Sequence, residues 1–244
     1  MLSYNNDVEF KGRFLIELEA HARADAFLQN FGYGQIAEGT GLDGFRGCSV
    51  GCAINSLDRL GQHMTRDTDA DYAYDDHGHL ASRLGMPEIV WRLNDRIFES
   101  ISPELALAWP LHFAQAIPVG RDLGQVWPRF SLWLLTDPIY GSRRHVLPNG
   151  LAAFDVVVAL FRRQAAGETA TPEEWQTARR AAYAAPVVSA AYAADAAFAA
   201  YAASAADAAS AAARAYAASA ADAASHGSWF AAAASELIRL LESA

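Results

Sequence analysis

The sequence predicts an all-α protein, and three observations predict it. Apolar residues recur at spacings of three and four along most of the first 170 residues, the period of one helical face. No segment sustains the period-2 alternation of β-branched residues that marks a sheet. The last third is dominated by alanine, the best helix former.

Asn6 or Asp7 can cap a first helix, in which Phe10, Phe14, Leu18 and Ala22 repeat every four residues. That helix is expected to run to about Asn30, where Gly32-Tyr33-Gly34 stops it, and Gly39, Gly41, Gly44 and Gly47 keep the next stretch irregular. A shorter helix is expected from Cys48 to Leu60. The segment Thr65–His77 holds five aspartates without an apolar period and reads as an exposed loop. Pro87 suits the first position of a helix, with Ile89, Val90, Leu93, Ile97 and Ile101 on its buried stripe. Glu88, Arg92, Asp95, Arg96 and Glu99 fall on the solvent side. Ser102-Pro103-Glu104 is another start signal. Trp109-Pro110 and Trp127-Pro128 each put a proline where a helix must begin or kink. Phe130, Trp133 and Leu134, and then Phe154, Val157, Val158 and Phe161, continue as buried faces.

Thr171-Pro172-Glu173-Glu174 is a capping box. The threonine oxygen can accept from the Glu174 N–H while the Glu174 carboxylate accepts from the Thr171 N–H. Pro186 interrupts the helix that follows. From Ser189 to Ser225 the chain repeats one variable residue and two alanines, broken at Arg214. A continuous helix there would be about 60 Å long. Each triplet falls about 60° short of a full turn, so the larger residues wind around the rod. That winding disfavours a two-stranded coiled coil and favours packing within a bundle. His226-Gly227 is expected to end this helix, with Ser228 capping a last one that presents Phe230, Leu237, Ile238 and Leu241. The predicted architecture is an irregular N-terminal helical region, 1–170, with Gly-rich and acidic loops, packed with an alanine-rich helical region, 171–244.

Ten of the twelve phenylalanines precede residue 170, which is enough for a packed core there. The formal charge of -9 repels a phosphate backbone, so nucleic acid is not expected as a partner. No run of about eighteen strongly apolar residues suits a membrane span. The start of the chain lacks a basic region followed by an apolar core, so a cytoplasmic location is expected. Two cysteines do not make a disulfide framework.

The most unusual short motif is Gly47-Cys48-Ser49-Val50-Gly51-Cys52. The plain reading is two small buried hydrophobes. A helix N-terminus after a glycine-rich loop can also lower a thiol pKa, making Cys48 a candidate nucleophile with His63, His77, His79 or His112 as its base. A metal could take Cys48, Cys52, His77 and His79, although the cysteine spacing departs from the usual zinc pattern. Arg46, Gly47, Cys48 and Cys52 are candidate ligand-binding residues. The glycines match no phosphate-binding fingerprint and the acidic loop lacks an EF-hand's glycine and glutamate, so no cofactor is expected. Arg143-Arg144-His145 reads as surface.

The x-Ala-Ala triplets after Thr171-Pro172-Glu173-Glu174-Trp175 resemble the alanine-rich putative immunity proteins of bacterial polymorphic toxin systems. Cys48–Cys52 and Trp127-Pro128-Arg129-Phe130 are similar to stretches of such proteins. The resemblance covers mainly residues 171–225 and implies a non-enzymatic protein that binds and occludes a toxin or effector domain. It implies no catalytic residues. The two alternatives from the residues themselves are a small-ligand binder or thiol enzyme at Cys48, and a structural chain that self-assembles into a homo-oligomer.

Overall fold

The computed structural model describes residues 1–30, 35–36, 41–62, 76–184 and 223–244. The triplet segment up to residue 222, Pro186, the Gly32-Tyr33-Gly34 stop, Gly39, His63 and most of the acidic loop lie outside the described residues. The fold is all-α, as expected. Ten α-helices occur among the described residues: α1 (Val8–Arg23), α2 (Ser49–Arg59), α3 (Asp76–Arg83), α4 (Glu88–Phe98), α5 (Pro103–Ala106), α6 (Trp109–Ala116), α7 (Val126–Thr136), α8 (Leu151–Ala165), α9 (Pro172–Ala184) and α10 (Ala223–Glu242). The strand content among the described residues is one two-residue antiparallel pair, β1 (Gln35–Ile36) with β2 (Phe45–Arg46). No described helix is long and apolar enough to cross a membrane.

The chain divides into two compact units. The first comprises Met1–Leu123 with Ala233–Ala244, and the second Gly124–Ala232. The predicted division at 170/171 falls inside the second.

In the first unit Asp7 accepts from the Phe10 N–H at 2.9 Å and starts α1. Phe10, Phe14, Leu18 and His21 form its buried stripe. The helix ends at Arg23, short of the expected Asn30. Asp25 turns into the left-handed region (φ 51°), and Ala26 donates back to the His21 carbonyl at 3.0 Å. The chain then needs Ala26 and Leu28 for backbone bonds to Gly47, and a continuing helix would have consumed those groups internally. At the start of the chain a tight turn, Ser3–Asn6, is held by distant backbone. Tyr4 is fully buried, donates from its hydroxyl to the Ala114 carbonyl at 2.7 Å, and its N–H donates to Leu84.

The buried face of α4 is wider than the predicted stripe, because Trp91, Asn94 and Phe98 join Val90, Leu93 and Ile97. Ser102 makes no side-chain cap, and α5 is a single short turn begun by Pro103. Prolines at the first turn begin α5 and α6 as their fixed φ allows.

In the second unit α7, α8 and α9 bury Leu135, Phe154, Val157, Val158, Phe161, Trp175 and Ala178 together. The Phe161 and Trp175 rings meet edge to face at 5.0 Å. The capping box is present as predicted: Thr171 N–H donates to Glu174 Oε2 at 2.7 Å and Glu174 N–H to Thr171 Oγ1 at 3.2 Å. Thr171→Ala removes one of these exposed bonds and is expected to lower stability by about 1 kcal/mol, measurable by urea denaturation.

Gly227 does not end a helix. It lies inside α10, which runs on to Glu242. A helix tolerates one interior glycine for about 1 kcal/mol. The apolar run beyond it, with Phe230, Leu237 and Leu241 all buried, offsets that by packing.

Candidate functional site

The candidate site is built where the Gly-rich loop delivers Cys48 to the start of α2. Gly41 (φ 67°) and Gly44 (φ 83°) turn the loop with backbone that side chains resist. At Gly41 an added Cβ would stand 2.0 Å from the Phe45 carbonyl. Both polar groups of the Gly47 backbone are used, its N–H on Ala26 and its carbonyl on Leu28, each at 2.9 Å. Arg46 donates to the Asp25 carbonyl and pairs with its carboxylate at 3.1 Å. These are structural roles for two of the predicted ligand-binding residues.

Cys48 is the N-cap of α2. Its sulfur accepts from the Gly51 N–H at 3.4 Å and is 3% exposed. Two carboxylates approach it, Asp95 from α4 and Glu99 from the cap at its C-terminal end. The Cys48 Sγ, one Asp95 oxygen and one Glu99 oxygen all lie within 4.8 Å of one another. Asp95 and Glu99 stand four residues apart, so one helix face presents both. Asn94, next to Asp95, fixes that face. Its Nδ2 donates to Ser49 Oγ at 2.8 Å, and Trp109 Nε1 donates to its Oδ1 at 2.9 Å. Asn94 is fully buried and Ser49 nearly so. The contact therefore locks α4 to the first residue of α2.

The buried His77 ring, at the start of α3, places Nε2 3.3 Å from Asp95 Oδ2. Glu99 accepts from the Asn30 N–H at 2.6 Å. Burial, and then the Asp95 charge, push the Cys48 thiol up to about 12, against the pull of the Gly51 N–H. Burial also raises Glu99 above the usual carboxylate range, with the Asn30 N–H opposing. A helix N-terminus alone would favour a thiolate, but desolvation and two neighbouring acids outweigh it here. This environment disfavours the thiolate that a candidate nucleophile at Cys48 would need.

No family model, curated protein or solved structure matches this chain.

Of the predicted metal set, Cys48 joins the cluster and His77 stands behind Asp95. Cys52 does not join, because its sulfur faces the Ala26 and Gly47 carbonyls at 3.7 and 3.6 Å, where burial raises its pKa. Both cysteines are free. The His79 ring accepts from Arg83. His112 lines an open groove with Gln115, Pro118, Ile238 and Glu242. Asp95, Glu99 and Asn94 were missed by sequence reasoning. The four-residue acidic spacing was visible, but two acids at that spacing usually mark a solvated helix face.

Proposed function

We propose that this chain is a non-enzymatic binding protein whose site takes a divalent metal ion at Cys48, Asp95 and Glu99. The observation that carries the reading is the convergence of a sulfur and two carboxylate oxygens from two different helices. The two carboxylates repel one another beside the buried thiol, and a cation relieves that repulsion. The donor set suits zinc, which accepts thiolate and carboxylate at about 2.3 and 2.1 Å. Three protein ligands leave one position for water or for a donor group of a bound partner. His77 would act on Asp95 from behind, as the outer partner of a ligating carboxylate.

Calorimetric titration of the metal-free protein with zinc chloride tests this. One equivalent is expected to bind. Cys48→Ser is expected to weaken binding by more than the roughly 10- to 100-fold typical of losing an outer partner, with His77→Gln falling within that range and Cys52→Ser unchanged. Cobalt binding should give a sulfur-to-metal charge-transfer band that Cys48→Ser abolishes. Absence of binding, or a Cys48→Ser variant that binds as tightly, would overturn the reading. Rapid alkylation of Cys48 at neutral pH would instead support a thiol enzyme.

The net charge of -9 favours a second reading, in which the protein occludes a basic toxin or effector domain. Complementary charge speeds such encounters and makes them salt-sensitive. A gene neighbourhood without a toxin, together with no co-purifying basic partner at low salt, would remove this reading.

A further inference from the structure

A groove in the first unit has no role in the proposed site. It is lined by His112, Gln115 and Ala116 of α6, Pro118 just beyond it, and Ile238 and Glu242 of α10, and it holds about 430 Å³. Small-molecule sites usually hold about 300–1,000 Å³. All six residues belong to the same compact unit. Spacings of three and four residues put the members from each helix on one face. The walls are held from behind. The Pro118 carbonyl accepts from the Ser3 hydroxyl, the Gly120 N–H donates to the Ser3 carbonyl at 2.9 Å, and the Tyr4 hydroxyl donates to the Ala114 carbonyl at 2.7 Å. Leu237, Leu240 and Leu241 are buried and seat the last turns of α10.

The lining has two kinds of surface. Ala116, Pro118 and Ile238 are half-buried and apolar, whereas His112, Gln115 and Glu242 are exposed and polar. Glu242 is the one carboxylate of the lining, which contains no arginine or lysine. Among the described residues that carboxylate has no hydrogen bond or ion pair. Glu236, on the same helix, is by contrast paired with Arg239 at 2.5 Å. Glu242 also ends α10, where the helix dipole adds negative potential. Lys11 serves the end of α6, donating to the Gln115 and Ile117 carbonyls at 2.9 and 2.6 Å. It engages backbone there and leaves the Gln115 amide and Glu242 to the groove. An anionic ligand would meet Glu242 with no cation in the lining to offset it. A wholly apolar one would desolvate the carboxylate without giving it a partner.

We infer that this groove binds an aliphatic amine, with the ammonium at Glu242 and the methylene stem on Ala116, Pro118 and Ile238. An ammonium carries three donors and no acceptor. The groove offers it the Glu242 carboxylate, the Gln115 amide oxygen and a His112 ring nitrogen. Long amine stems lay their carbons on apolar surface while the charged head stays in water, and the lining divides in the same way. This chemistry has two sources, a free polyamine and a lysine side chain on a basic protein. The lysine source rests on the reading in which this chain occludes a basic partner. Neither source depends on a metal at Cys48.

Titration of the full, metal-free chain with spermidine, followed by NMR of the Ile238 methyl groups, tests the site, with tetralysine titrated in parallel. Saturable binding that shifts Ile238 is expected from at least one of the two, and the tighter one identifies the source. Glu242→Gln keeps the shape of an exposed side chain and should weaken that binding about tenfold. Glu173→Gln, at another exposed acid on α9, should leave it unchanged, which separates the groove from general attraction to a chain of net charge -9. Hexylamine should bind about tenfold more tightly than hexanol, which has the same stem without the charge. No Ile238 shift with either amine overturns the inference. So does undiminished binding in Glu242→Gln, an equal loss in Glu173→Gln, or hexanol binding as tightly as hexylamine. Cys48→Ser should leave amine binding unchanged, so the metal reading and this one fall separately. A basic protein partner that binds without shifting Ile238, while spermidine also fails to shift it, would leave the occlusion reading standing and overturn this inference.

Discussion

Asn94→Ala is expected to lower stability by about 3 kcal/mol. The substitution removes the buried amide that accepts from the Trp109 indole N–H at 2.9 Å and the Ser49 hydroxyl at 3.2 Å and donates to Ser49 Oγ at 2.8 Å, leaving Trp109 only its longer bond to the Asn94 carbonyl at 3.3 Å. Each unpaired buried group costs about 1–3 kcal/mol. The side chain it removes is fully buried, so water does not readily replace it. The same change frees α4 to shift against α2, and with it Asp95 and Glu99 against Cys48. Zinc affinity should therefore fall together with stability, although Asn94 touches no proposed ligand position. Urea denaturation gives the first quantity and calorimetry the second. A loss under about 1 kcal/mol would mean that α4 is held by its apolar face alone, and that Asn94 does not position the site.

Trp175→Ala is expected to lower stability by about 3–5 kcal/mol, the usual result of emptying an aromatic position in a core. Trp175 is 2% exposed and packs on Phe161 at 5.0 Å. It is also the anchor that joins α9 to α8 just beyond the capping box. The companion substitution sharpens the argument. Among the described residues the indole N–H of Trp175 has no partner, so Trp175→Phe removes no hydrogen bond to them and keeps an aromatic ring against Phe161. Its expected loss is about 1.5 kcal/mol or less. Thermal and urea unfolding of the two variants side by side test this. Equal losses would show that shape complementarity to the full indole, and not burial of a ring, holds α9.

The two substitutions differ in what the chain discloses about them. Trp175 follows a capping box at one residue's remove, and a large apolar residue in the first turn of a well-signalled helix is expected to face the core. Asn94 gives no such signal. It lies between Leu93 and Asp95 in a stripe of which Val90, Leu93 and Ile97 are buried as predicted and Ile89 is only half-buried, and nothing local distinguishes a solvated asparagine from a buried one. Its role depends on Ser49 and Trp109, 45 and 15 residues away. Asp95 and Glu99 were likewise read as a solvent face, since their spacing is that of many exposed helices. His77 was singled out as a candidate ligand, yet its nearest role is against a carboxylate that the sequence did not connect to it. Cys52 shows the converse error: it shares a helix face with Cys48, but its sulfur faces the carbonyls of the preceding loop.

What the amino-acid order determined by itself is local. The helical period, the Asp7 cap, the prolines at the first turns of α5 and α6 and the Thr171 capping box act within a few residues, so their physics is complete in a short window. The tertiary structure decided where helices stop when a better bond lies elsewhere, as at Arg23, and where a breaker is overruled by packing, as at Gly227. It also decided which side chains meet. A thiol that local geometry would activate becomes a protonated, acid-flanked donor only because α4 brings Asp95 and Glu99 to the start of α2. The cause is desolvation and charge at a few ångströms, and both depend on neighbours that are distant in sequence.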